Sequence, residues 1–266
     1  MTMQAKIMGV LNVTPDSFSD GAQYSDVADA VQGAQHMIEQ GADMIDIGGE
    51  STRPNADFVS VVDEIQRVIP VINALVKITD TPVSIDTSKP EVMIQAVKAG
   101  AKMINDVRAL RADGALEAAS GLDVDVCLMH MQGDPRDMQN NPVYDSVVDD
   151  IKHFFERRIE ACIGAGINEK KLILDPGFGF GKTYAHNLEI LRRFDEFKSF
   201  GLPLLAGLSR KRMIGQMLND RKIEERIIGS IIAAIIALQK GANIVRVHDV
   251  LATKDALTIL QKVENG

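Results

Sequence analysis

The feature that most restricts this chain is an alternation. Eight short β-rich runs are each followed by a polar loop and a stretch with helical spacing. The runs are Lys6–Leu11, Asp43–Ile47, Pro82–Ile85, Lys102–Asn105, Val124–Met129, Lys171–Leu174, Pro203–Ala206 and Ile244–Val247. Between them apolar residues recur every three or four positions. Val147, Ile151, Phe155, Ile159 and Cys162, for example, fall on one helix face. Gly41, Gly100, Gly166, Gly201 and Gly241 each follow a helical stretch shortly before the next run, where a helix-ending glycine belongs. Repeated β/α units build either a closed barrel or an open doubly wound sheet. Eight units in 266 residues match the barrel. The expected fold class is therefore α/β, a (β/α)8 TIM barrel, with residues 1–266 as one domain.

Composition narrows the function classes. With 29 basic and 37 acidic residues the chain carries a net charge of −8, which opposes broad electrostatic binding to nucleic acid. Its two cysteines, Cys127 and Cys162, form no CxxC or Cys/His cluster, as expected of packed thiols in a reducing compartment. The N-terminus lacks the pattern of a signal peptide, so a cytoplasmic location is expected. The apolar stretch at 227–238 is too short to span a bilayer. A helix apolar on every face needs cover on every face. On the outside of a barrel that implies a partner subunit.

In a barrel of this type the active site lies at the C-terminal strand ends. Those ends are polar throughout. They carry Asn12; Gly48 to Pro54; Asp86; Asn105 and Asp106; His130; Asp175; Ser209 to Arg212; and Arg246 with His248. A single Asp or Asn after a strand is usually a turn or cap. Eight polar ends on one rim point to a site. Arg210, Lys211, Arg246 and His248 come from strands 7 and 8, where barrels frequently bind phosphate. Asp86, Asn105 and Asp175 suit the N–H edge of a flat heterocycle, since a carboxylate facing such an edge makes a charge-assisted pair. The inferred ligand is a nitrogen heterocycle bearing phosphate, read by two halves of one site.

The run from Gly177 to Thr183 (GFGFGKT) looks like a Walker A loop, but Pro176 stands where that motif needs glycine. A glycine-rich turn allowing close backbone approach is the expected reading. The loops at 12–21 and 48–57 are polar, carry Pro and Gly, and are expected to act as lids.

Eight stretches in order along the chain resemble the dihydropteroate synthase family. They are GVLNVTPDSFSDG (9–21), DIGGESTRP (46–54), SIDTSKPEV (84–92), INDVRAL (104–110), LMHMQGDP (128–135), LDPGFGFGK (174–182), LSRKRMIG (208–215) and RVHDV (246–250). The resemblance implies a transferase of folate biosynthesis. Such an enzyme joins 7,8-dihydropterin diphosphate to p-aminobenzoate, giving dihydropteroate and pyrophosphate, and is a sulfonamide target. It also implies a homodimer and Mg2+, with Asn12 as the metal ligand. Asp86, Asn105, Asp175 and Lys211 match the pterin-binding residues, and Arg246 and His248 the diphosphate pair. Thr52 and Arg53, with Phe18 and Pro54, match the p-aminobenzoate pocket. The helix start after Ser209 matches the receiver of its carboxylate. Asp86, Lys211 and Arg53 are the residues placed at the reaction itself.

Two positions depart from the family pattern: Asn55 stands where glycine is expected, and Arg212 where some relatives carry serine. The alternatives are a pterin-binding barrel of a corrinoid-linked methyltransferase, a non-catalytic pterin-binding barrel, and a generic phosphate-binding lyase or isomerase. The first should not need the Ser-Arg-Lys loop, the Arg-x-His pair and Asn12 together, and the last lacks a strand lysine for a Schiff base.

Overall fold

The computed structural model describes residues 5–13, 23–51, 58–133, 138 and 141–265. Its strands are β1 (Lys6–Asn12), β2 (Met44–Gly48), β3 (Val83–Asp86), β4 (Met103–Asp106), β5 (Asp125–Met129), β6 (Leu172–Asp175), β7 (Leu205–Ala206) and β8 (Ile244–Val247). All pair in parallel, in the order β6-β5-β4-β3-β2-β1-β8-β7. The ring closes where Leu174 bridges Leu204 and the Leu174 N–H donates to the Pro203 carbonyl at 2.9 Å. The expected TIM barrel is the observed one. β7 is its shortest strand.

The helices are α1 (Gln23–Glu39), α2 (Val61–Leu75), α3 (Pro90–Lys98), α4 (Ala115–Ser120), α5 (Val147–Gly164), α6 (Tyr184–Arg192), α7 (Arg212–Met217), α8 (Ile227–Gln239) and α9 (Val250–Asn265). The α5 stripe is buried at all five anticipated positions. The five glycines expected at helix ends all have positive φ, as at Gly100 (116°).

The interior of the barrel is layered, and the two-residue period of a strand is the cause. Met8, Met44, Met103, Cys127, Ile173, Leu205 and Ile244 form an apolar plug. Two residues further along four of those strands stand Asp46, Asn105, Asp175 and Arg246. Burial raises the Cys127 thiol well above its usual pKa, so it is an inert part of the plug.

Candidate functional site

The polar layer is tied together across the barrel. Arg246, on β8, donates from Nε to Asp46 Oδ2 on β2 (2.6 Å) and from Nη2 to Asp86 Oδ2 on β3 (2.7 Å). Asn105, on β4, donates from Nδ2 to the same Asp46 oxygen at 3.0 Å. These bonds join strands that are not sheet neighbours, so the side chains meet inside the barrel. Asp46 is fully buried, and its Oδ1 has no protein partner among the described residues. Burial, opposed by Arg246, raises the Asp86 pKa to about 7.

Across the mouth, Asp175 Oδ1 accepts from the Gly177 N–H at 2.7 Å. Lys211 donates from Nζ to the Phe178 carbonyl and lies 4.7 Å from the centre of the Phe180 ring. Burial lowers the Lys211 pKa to about 8, with Asp175 pulling the other way. A Cβ on Gly207 would stand 3.8 Å from Lys211 Nζ, 3.9 Å from Arg246 Cβ and 4.0 Å from Asp175 Oδ2. Glycine there keeps the space between these three groups open. His248 meets Ser209: its N–H donates to Oγ at 3.2 Å, and Nδ1 lies 3.0 Å from the same hydroxyl.

Asn12 Oδ1 and Asp86 Oδ2 each lie 3.8 Å from where a Cβ on Gly48 would stand. One amide and one carboxylate oxygen thus face the same corner. Among the described residues no group of three or more His, Cys, Asp or Glu could hold a metal. So sparse a set of hard oxygens fits a magnesium ion that keeps water and phosphate oxygens in its shell.

The structure therefore brings together Asn12, Asp86, Asn105, Asp175, Lys211, Arg246, Ser209 and His248 at one rim. Phe18, Thr52, Arg53, Pro54 and Asn55, with the greater part of both expected lids, lie outside the described residues. One expectation needs correction. Arg210 does not join a phosphate half: it forms an ion pair with Asp249, at 3.0 Å from Nε and 2.5 Å from Nη2. The two halves touch, because Arg246 is bonded to Asp86 of the heterocycle side. Asp106, beside Asn105, keeps the ordinary turn role, accepting from the N–H groups of Arg108 and Leu110 at 2.8 and 2.7 Å. Arg212 opens a helix of six residues, and its side chain is exposed.

Asp46 was missed as a site residue. Inside DMIDI it reads as one polar interruption of a strand. The available signal was its parity: it lies two residues before Gly48 and so faces the same side.

Comparison with known proteins agrees with this geometry. A family model described as pterin binding enzyme matches residues 8–248. The dihydropteroate synthase of Escherichia coli (strain K12) is 52% identical over 255 residues, covering 96% of this chain and 90% of that protein. A solved structure of the Xanthomonas albilineans dihydropteroate synthase with 4-aminobenzoic acid superposes with a TM-score of 0.93 at 51% identity, covering 98% of this chain and 93% of that one. The X. albilineans enzyme in complex with 7,8-dihydropteroate gives 0.90 at 48% identity, over 99% and 95% of the two chains.

Proposed function

The chain belongs to the pterin-binding enzymes and, within them, to the dihydropteroate synthases, and from that premise we propose how its strand-end site works. It is a transferase. It joins the methylene of 7,8-dihydropterin diphosphate to the amine of p-aminobenzoate, forming dihydropteroate and releasing pyrophosphate. The observation that carries this reading is the cross-barrel set of Asp46, Asp86, Asn105 and Arg246 facing Asp175 and Lys211 across Gly207. It offers carboxylates and an amide for a heterocycle rich in N–H groups, with cations beside them for an anionic leaving group.

Asp175 and Asn105 hold the pterin edge, and Lys211 lies against its polar side. Arg246 and His248 hold the diphosphate, where negative charge grows as the C–O bond breaks. Arg246 is held in place by Asp46 and Asp86, so its guanidinium is oriented before substrate arrives. Ionised Asp86 supports positive charge developing on the pterin methylene. Asn12, with Asp86 nearby, would hold Mg2+, which supplies charge neutralisation at the diphosphate. Thr52, Arg53, Phe18 and Pro54 receive p-aminobenzoate, Ser209 and the turn after it face its carboxylate, and Arg53 assists the reaction. Arylamine sulfonamides compete for the same place. The amine is nucleophilic without a strong base, so correct placement and exclusion of water do most of the work.

The working unit is a homodimer in the cytoplasm. Its interface is the face of α8 that exposes Ile228, Ile232 and Ile236, four residues apart, on a helix whose other face is packed. Among the described residues no helix is long and apolar enough to cross a membrane.

The test is chromatographic detection of dihydropteroate from the two substrates with Mg2+. Product that depends on both substrates is expected. Intact pterin binding with no product would favour the non-catalytic barrel.

A further inference from the structure

The GFGFGK run after β6 fails as a nucleotide loop, yet its lysine is among the most enclosed polar groups in the chain. Lys182 is 3% exposed. Its Nζ donates to the carbonyls of Gly177 (2.9 Å), Phe180 (2.9 Å) and His130 (3.2 Å), and lies 2.9 Å from His130 Nδ1. Three carbonyls and one ring nitrogen thus surround the amine. Burial lowers the Lys182 pKa well below its usual value, with Asp175 pulling the other way, and the cage gives the buried amine hydrogen-bond partners in place of water.

The caged backbone is the backbone that touches the pterin pair. The Gly177 N–H donates to Asp175, and the Phe178 carbonyl accepts from Lys211. The Phe180 ring lies under Lys211, and a Cβ on Gly179 would come within 3.5 Å of Lys211 Cδ. From the helix side, Asn187 Oδ1 accepts from the Gly179 N–H at 2.7 Å and its Nδ2 donates to the Thr183 carbonyl at 2.7 Å. Three of the loop's residues are glycines that offer no side chain to pack. Gly177 and Gly181 have φ of 69° and 59°, and a Cβ on them would stand 2.0 and 2.3 Å from the carbonyl oxygens of His130 and Gln132. A glycine loop pressed this closely on its neighbour gets its shape from polar contacts to the backbone, and Lys182 supplies three of them.

We propose that Lys182, caged with His130, is a positioning residue: it fixes the Gly177–Phe180 backbone and through it sets Asp175 and Lys211 for the pterin. The proposal rests on the assignment of Asp175 and Lys211 to the pterin edge, and it adds a residue that does not touch the ligand.

The test is calorimetric titration of a simple pterin lacking diphosphate into the full-length parent, Lys182→Met and a core control, Phe197→Leu, with urea unfolding of each. Met keeps most of the length of the side chain and removes the amine. Lys182→Met should bind the pterin at least about tenfold more weakly, because the Gly177 and Phe180 carbonyls lose the donor that holds them. In turnover, its KM for the pterin substrate should rise while its KM for p-aminobenzoate stays within about twofold. Phe197→Leu, fully buried in the main core and separated from the loop's Phe178 by the Phe194 ring, should lose stability and keep its pterin affinity within about twofold. A folded Lys182→Met protein that binds as the parent does would overturn the proposal, and so would equal losses in Phe197→Leu. Where Lys182→Met does not fold, Asn187→Ala, which loosens the same loop from α6, decides: a loss of about threefold or more supports the proposal and unchanged affinity overturns it. A parent protein that fails to bind the pterin overturns the site assignment itself, and the proposal with it.

Discussion

Single residues in this site are tuned by burial against one named partner. Asp86 is raised to about 7 by burial although Arg246 opposes the shift, and Lys211 is lowered to about 8 by burial although Asp175 opposes it. The signs fix a pH profile. Asp86 gives anionic support only above about 7, when it has lost its proton, and Lys211 is an ammonium only below about 8. Plotted against pH, kcat/KM for the pterin substrate should therefore rise towards 7 and fall above 8. Asp86→Asn should lower the whole curve and remove its acid limb. Lys211→Met should remove the alkaline limb and reduce pterin affinity by about 10- to 100-fold, the usual effect of losing a buried charged hydrogen bond. A flat profile across both values would show that neither group's charge matters. Individual residues were also where the sequence was hardest to read. Asp106 and Asn105 adjoin, yet one closes a turn and the other enters the barrel, which follows from strand parity and not from residue type. Arg210 looked like a phosphate ligand because Asp249, its partner, lies 39 positions away.

Elements were more legible than residues. Each anticipated strand is observed with its ends within about two residues, since apolar runs between turn signals mark strands well. The β7 run is half the anticipated length, since Pro203, with no N–H, begins it and Leu204 makes only an isolated bridge. α8 was readable as a covered helix from its composition alone. Its structure divides that reading in two. Ser230, Ala233, Ala234 and Ala237 pack inward, while Ile228 and Ile232 are 69% and 55% exposed. In the proposed dimer the row of exposed isoleucines would be covered by two-fold pairing of the same helix in another copy. Sedimentation velocity should show a dimer for the parent and a folded monomer for Ile232→Glu, since a carboxylate at the centre of an apolar contact has no partner there. A parent that sediments as a monomer over a wide concentration range would remove α8 as an interface.

At the scale of the whole molecule, one period-two pattern divides the barrel into an apolar plug and a polar layer above it. On the proposed function the plug gives stability and the upper layer gives recognition. This division was partly visible beforehand, because every strand ended in polar residues. Its internal bracing was not, because Asp46–Arg246 and Asp86–Arg246 span 200 and 160 positions. Ile173 and Asp175 test the division on a single strand, since one belongs to the plug and the other to the site. The most direct measurement is the calorimetric affinity of a simple pterin for Ile173→Val and Asp175→Ala, with unfolding free energies alongside. Ile173→Val should lose about 1 kcal/mol of stability and bind the pterin as the parent does. Asp175→Ala should stay folded and lose at least about tenfold in affinity, because the heterocycle loses a charge-assisted partner. Parent-like pterin binding by a folded Asp175→Ala protein would contradict the account.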